Sequence, residues 1–214
     1  MIIHDEMEQG SEEWLSARLG IPTASEFGKI LTPSTLRPSK QAMDYMRLKA
    51  AEVVRGKGDE DAWAGNAYTE AGHTKENDAR EIHAFAAEKE VEQVGFITDD
   101  DGRYGCSPDG IVRTEIKFGR VVGGVEIKCP APKKHVEYYL SKDRVPIGYR
   151  MQLVGTMWIT GAEWWDFVSY CPGMPIKNSR IEREEVAKDI DALRAAVEEF
   201  CEDLDKMVKR IKAV

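Results

Sequence analysis

No run of apolar residues in the sequence approaches the roughly 20 needed to cross a bilayer. The opening stretch MIIHDEMEQGSEEW has neither a basic n-region nor an apolar h-region, so it does not read as a secretion signal. Cysteine is scarce: Cys106, Cys129, Cys171 and Cys201 stand far apart and form no C-x-x-C pair. That spacing sets aside a zinc site and a disulfide framework, and free thiols in a reducing compartment are expected. Together these absences predict a cytoplasmic protein with no membrane partner. Internal repeats, low-complexity tracts and a convincing domain boundary are also lacking. So is net positive charge: 38 acidic against 30 basic residues leave −8, which disfavours a general nucleic-acid coat. Net charge is not distribution, however, and local basic groups can still line a groove.

What is there fits one globular domain. At 214 residues, 42% hydrophobic and 32% charged, the chain can bury a sizeable core. Its densest chemistry lies in Cys106-Ser107-Pro108-Asp109-Gly110 and Val125-Glu126-Ile127-Lys128-Cys129. The first piece reads as a turn carrying a carboxylate. The second reads as a short buried strand, with Val125, Ile127 and Cys129 on one face and Glu126 and Lys128 on the other. A carboxylate and an ammonium two residues apart are costly to desolvate. A divalent metal held by Asp109 and Glu126, with Lys128 beside a reacting water, would offset that cost. The plain alternative is a surface strand with an ordinary ion pair.

Upstream, Ser11 reads as the N-cap of a helix with Trp14, Leu15 and Leu19 on its apolar side, Arg18 one turn after Trp14, and Gly20 as its stop. Thr23 and Glu26 have capping-box spacing ahead of Phe27, Ile30 and Leu31, which predicts a second helix. A fixed cation before a hydroxyl-rich helix N-terminus suits a phosphate; a capped helix beside a surface arginine is the alternative. Residues 39–55 read as a helix with Met43, Met46, Val53 and Val54 in the core. Trp63 is either a packing anchor or a base-stacking residue. Residues 66–89 read as a helix on which Glu76, Ala79, Ile82, Ala86 and, at the margin, His83 share a face. A Glu turned toward the core needs a metal or a Lys, unless the helix edge frays there. His73, one turn earlier, is a packing residue or a DNA contact.

Downstream, residues 91–97 read as a strand, Asp99 to Gly102 as a solvated turn without EF-hand spacing, and residues 114–122 as a hairpin-like insert. A short helix is expected around residues 135–140. Another, over 147–159, follows Pro146, with Met151, Val154, Met157 and Trp158 on its apolar face and Gln152 and Thr156 on another side. Residues 164–170 read as a strand. Ser179 and Glu182 have capping-box spacing for a long amphipathic helix over about 179–212, with Val186, Ile190, Leu193, Val197, Phe200, Leu204, Met207 and Ile211 as its stripe. Packing of this helix on the domain is preferred to a subunit contact.

The order helix, strand, turn, strand, helix with Pro108-Asp109 … Glu126-Ile127-Lys128 is similar to that of the PD-(D/E)xK nucleases. Five blocks carry the likeness further: Arg18 to Glu26 (RLGIPTASE), Glu76 to Arg80 (ENDAR), Cys106 to Gly110 (CSPDG), Glu126 to Pro130 (EIKCP), and Met151-Gln152 with Met157-Trp158. In that order they resemble the lambda exonuclease and YqaJ-like viral recombinase family. The resemblance implies one α/β (α+β) domain over residues 1–214, with a restriction-endonuclease-like core of central mixed β-sheet flanked by helices. It implies a 5′→3′ exonuclease that degrades one strand of linear double-stranded DNA to mononucleotides, prefers 5′-phosphorylated ends and leaves a 3′ overhang for single-strand annealing. It also implies a ring-shaped homotrimer, a cognate single-strand annealing protein, and a phage or prophage source.

Carried over residue by residue, the resemblance implies two Mg²⁺ ions, which Mn²⁺ would replace. Asp109, Glu126 and the backbone carbonyl of Ile127 would hold one, and Glu76 with Asp109 the other; Lys128 would orient or help deprotonate the attacking water. Arg18, Thr23, Ser25, Ser107 and Gln152 match a pocket for the terminal 5′-phosphate. Trp14, Leu36 and Trp63 are candidates for a wedge that parts the duplex, and Asp99 for an auxiliary acid. The competing readings are a sequence-specific or structure-specific endonuclease on the same fold and a nuclease-dead DNA-binding module. The last has no need of an intact Asp109, Glu126 and Lys128.

Overall fold

The computed structural model describes residues 1–58 and 70–213, with side chains from residue 74 onward in the second stretch. In chain order the elements are β1 (Ile2–His4), α1 (Glu12–Ala17), a 3-10 turn (Ala24–Lys29), β2 (Leu31–Thr32), β3 (Arg37–Pro38), α2 (Ala42–Arg55) and α3 (Glu70–Ala87). Then come β4 (Phe96–Thr98), β5 (Gly105–Cys106), β6 (Gly110–Arg113), β7 (Val121–Lys128), α4 (Pro132–Leu140) and α5 (Ile147–Thr160). The chain closes with β8 (Trp164–Ser169), β9 (Lys177–Glu182), a second 3-10 turn (Arg183–Val186) and α6 (Ala187–Lys212).

The central sheet runs β6-β7-β8-β9. The β6/β7 and β8/β9 pairs are antiparallel, while β7 and β8 are parallel and joined over the top by α4 and α5. This is the mixed, helix-flanked sheet that the family resemblance implies. A second sheet, β1-β4-β5, stands beside it. Strand β7 is buried along nearly its whole length because both faces are covered. On one face Val125 and Ile127 pack with Val168 and with Ala79 of α3. On the other lies the main core, where α5 contributes Met151, Leu153, Val154 and Met157. Each such aliphatic side chain contributes about 2 kcal/mol of burial.

Gly123 and Gly124 lie inside β7, because the strand must pass under two tryptophans. A Cβ at Gly123 would stand 2.0 Å from the Trp164 ring, and one at Gly124 would stand 2.4 Å from Trp165 and 2.6 Å from the Gly110 carbonyl. The long helix packs on the domain as expected, burying Ile190, Leu193, Val197, Phe200 and Leu204, with Phe200 stacked on Tyr45 of α2 at 5.5 Å.

Several local expectations are corrected. Helix α2 starts at Ala42, and its buried side is Tyr45, Met46 and Ala50; Met43, Val53 and Val54 face outward. The strand placed at 91–97 is β4, with only Glu92 bridging to Ile111 before it. Val121 and Val122 belong to β7, so the insert shortens to the loop 114–120 between paired strands. No helix begins at 179. Ser179 is paired with Phe167 in β9, and the capping box is Glu182 with Glu185. Strand pairing to β8 takes the backbone groups that a helix start at Ser179 would need.

Gly124→Ala is expected to destabilise the fold by about 2 kcal/mol through overpacking. Gly148→Ala, where a Cβ meets nothing within 4 Å, should leave stability nearly unchanged. Urea denaturation of the two variants against the parent checks both.

Candidate active site

The β6/β7 hairpin sets the acidic half of the site. Gly110 pairs with Val125, which lands Asp109 beside the Glu126–Ile127 peptide. Asp109 Oδ2 accepts the backbone N–H of Ile127 at 2.6 Å. Glu126 is 1% exposed, and its Oε1 accepts from Lys128 Nζ at 2.5 Å and from Gln152 Nε2 at 2.6 Å. Gln152 comes from the crossover helix α5, so β7 and the helix above it meet at one carboxylate. The Lys128 ammonium also lies 5.1 Å from the Tyr149 ring.

Helix α3 supplies the third carboxylate. Its inward face is Glu76, Ala79, Arg80 and His83; Ile82 and Ala86, expected on that face, point outward. Arg80 donates from Nε to the Asp109 main-chain carbonyl at 2.6 Å, from Nη1 to Asn77 at 2.8 Å and from Nη2 to Glu76 Oε1 at 2.8 Å. One planar fork thus stitches the helix bearing Glu76 to the turn bearing Asp109. Farther along α3, buried His83 meets Asp166 of β8 through Nε2 at 2.9 Å. Asp166 in turn takes both Nε and Nη2 of Arg180 at 2.8 Å.

The charges follow from this crowding. Burial, then the charge of Asp109, pushes Glu76 up to about 7 against the pull of Arg80. Burial and Asp109 push Glu126 up to about 8 against Lys128. Burial likewise raises Asp109, opposed by Lys128 and the Ile127 N–H. Lys128 is moved the other way: burial works against its charge, but Glu126 and Asp109 hold it firmly protonated. Among the described residues no three His, Cys, Asp or Glu side chains converge as a ready-made metal-binding group; Lys128 pairs with one oxygen of Glu126 and Arg80 with one of Glu76. Burial, Glu76 and Asp109 push the neighbouring Cys129 thiol up to about 11, which leaves it unreactive. All four cysteines are free.

A second cluster joins the site through Ser107. Arg18 Nη1 donates to Ser107 Oγ at 2.7 Å and Nη2 to Thr23 Oγ1 at 3.3 Å; Ser25 Oγ lies 3.3 Å from Thr23 Oγ1. Arg18, Thr23, Ser25 and Ser107 are therefore brought together, while Gln152 hydrogen-bonds Glu126. The helix expected after Thr23 is a six-residue 3-10 turn with no side-chain cap, and Glu26 pairs with Lys29 instead of reaching back. A helix dipole therefore adds nothing here, and the cluster consists of one guanidinium and three hydroxyls.

The wedge candidates fare differently. Trp14 is 4% exposed and unavailable to part a duplex. Leu36 packs against the core, and Trp63 and the side chain of His73 lie outside the described residues. Asp99 Oδ1 caps its own turn, accepting from the backbone N–H groups of Arg103 and Tyr104 at 2.6 and 3.2 Å, which replaces its reading as an auxiliary acid. The roles of Arg80 and Trp14 were missed by sequence reasoning. The signal was helical spacing: Arg80 follows Glu76, and Arg18 follows Trp14, by four residues.

Residues 13–163 match the YqaJ-like viral recombinase domain, well over half of the chain. The chain belongs to this family. The YqaJ-like domain is also similar to a solved alkaline exonuclease (LHK-Exo) from Laribacter hongkongensis, at 29% identity and TM-score 0.78 over 95% of this chain and 97% of that one. LHK-Exo in complex with dAMP gives 29% identity and TM-score 0.77 over the same shares. A phage related exonuclease from Haemophilus somnus 129PT shares the fold, at 15% identity and TM-score 0.56 over 87% and 96%. No curated protein sequence matches.

Because the raised carboxylates bind protons more tightly in the folded state, they stabilise the YqaJ-like domain below about pH 4.5. That contribution is lost as pH rises through about 7 for Glu76 and about 8 for Glu126. Glu76→Gln and Glu126→Gln are each expected to flatten the fall in unfolding free energy over that window, measured by urea denaturation from pH 4.5 to 8.5.

Proposed function

We propose that this chain is a Mg²⁺-dependent 5′→3′ exonuclease acting on linear double-stranded DNA. On this reading it releases 5′-mononucleotides, prefers 5′-phosphorylated ends and leaves a 3′ single-stranded overhang. The observation that carries the reading is the meeting of Asp109, Glu126 and Lys128 with Glu76 at one end of β7, in a chain whose full-length structural likeness is to an alkaline exonuclease. Binding alone does not require a buried Glu-Lys pair beside two further carboxylates.

The donor set fits divalent cations. Asp109, Glu126 and Glu76 are hard carboxylate donors; burial disfavours the charge on each, Asp109 adds repulsion at Glu76 and Glu126, and a dication would offset both. Asp109, Glu126 and the Ile127 carbonyl would hold one ion, and Glu76 with Asp109 a second; Mn²⁺ would substitute. Such ions supply charge stabilisation at the attacking and leaving oxygens of an in-line displacement. The chain's own residues do the rest. Lys128, hydrogen-bonded to Glu126, would orient the attacking water or help deprotonate it. Gln152 holds the Glu126 carboxylate in one pose. Arg18, Thr23, Ser25 and Ser107, with Gln152 beside Glu126, would receive the terminal phosphate, and the end of the strand would then lie beside Asp109. A homotrimeric ring, a single-strand annealing partner and a phage or prophage source in a bacterial cytoplasm complete the proposal.

With Mg²⁺, linear duplexes bearing 5′-phosphate are expected to be degraded faster than those bearing 5′-hydroxyl, and closed circular plasmid to survive; plasmid loss would favour an endonuclease. Lys128→Ala should retain duplex binding within about threefold and lose roughly 100-fold or more in turnover. Gel shift and single-turnover hydrolysis separate the two effects.

A further inference from the structure

We propose that Trp14 is a positioning residue for the terminal-phosphate pocket: it fixes the plane of Arg18 and turns Ser107 into an obligate hydrogen-bond donor. The inference rests on the reading of Arg18 and Ser107 as that pocket.

Three contacts converge on one buried indole. The Arg18 guanidinium lies over its ring at 4.1 Å. Its single Nε1–H is shared in a three-centre bond between Ser107 Oγ at 2.9 Å and the Gly95 carbonyl at 3.0 Å. Ser107 Oγ therefore accepts from two donors, Trp14 Nε1 and Arg18 Nη1. A hydroxyl has two lone pairs and one proton. With both lone pairs taken, the proton must point away from both donors. A phosphoryl group offers only acceptor oxygens, so a serine held this way always meets it with a proton. A serine free to rotate would present a lone pair to it part of the time. The ring also covers one face of the guanidinium, whose Nη1 and Nη2 donate to Ser107 and Thr23.

Tryptophan is the side chain that brings a broad aromatic face and a rim donor together. Local structure sets it in place. The Trp14 backbone N–H donates to the Ser11 cap at 3.2 Å, and four residues on, Arg18 falls on the same side of the helix end. Gly95 is itself confined, since a Cβ there would stand 2.0 Å from the Met7 carbonyl, so the carbonyl that anchors the indole is held by close packing.

The test is Trp14→Phe, which keeps an aromatic face and removes the donor. The ratio of kcat/KM for 5′-phosphate over 5′-hydroxyl duplexes is expected to fall about tenfold, mostly through KM for phosphorylated ends. In a Ser107→Ala background the same change should lower the ratio by less than about twofold, because the two residues act through one bond. A Trp14→Phe ratio within about twofold of the parent, or a double variant showing the product of the single losses, overturns the proposal. Should Trp14→Phe fail to fold, the parent protein decides: the Trp14 indole ¹H–¹⁵N resonance is expected to shift on titration with inorganic phosphate and not with chloride at equal ionic strength. An unmoved resonance overturns the proposal. A parent indifferent to the end group removes the pocket and Trp14's role together, whereas a selective parent with an equally selective Trp14→Phe removes only the latter.

Discussion

The burial of acidic side chains around the end of β7 is the constraint on which the rest of this site depends. Glu76, Asp109 and Glu126 come from a helix, a turn and a strand, and each is held above its ordinary proton affinity by burial, with neighbouring charge adding to it for Glu76 and Glu126. Lys128 and Arg80 keep the arrangement tolerable in the protein alone. Side-chain-free glycines let β7 pass beneath Trp164 and Trp165 while its other end carries Glu126 and Lys128. The sheet provides rigidity where repulsion would otherwise spread the groups apart.

The central motif was legible because its parts are close in sequence and obey the strand period. Val125 and Ile127 on one face and Glu126 on the other follow from alternation alone, and the hairpin brings Asp109 alongside. What could not be read were contacts that end on backbone atoms. Arg80 reaches the carbonyl of Asp109, and Trp14 the carbonyl of Gly95; a main-chain acceptor leaves no mark in a sequence. Faces were misjudged where apolar residues sit on both sides of a helix. Helix α2 carries Met43, Val53 and Val54 outward, and the side that buries is chosen by Phe200, some 150 residues away. The capping spacing at Ser179 failed because pairing with β8 won over local helix chemistry.

The anion cluster repeats that lesson at smaller scale. Capping-box spacing after Arg18 predicts a helix dipole, but the fold keeps only the arginine and the hydroxyls, since the segment after Thr23 is a short 3-10 turn. If the cluster receives a chain end as proposed, specificity would depend on a few side-chain donors held rigidly, and small changes in their pose would carry weight.

The buried His83–Asp166–Arg180 chain has a mechanical meaning. It pins the far part of α3 to β8 and β9, while Arg80 pins the near part to the turn before β6. A helix fastened at two points cannot slide or roll on its own. Glu76 is thus carried by the sheet as a bracket is carried by a wall, and a shift of β8 or β9 is delivered to the acidic site through a rod and not through a loop.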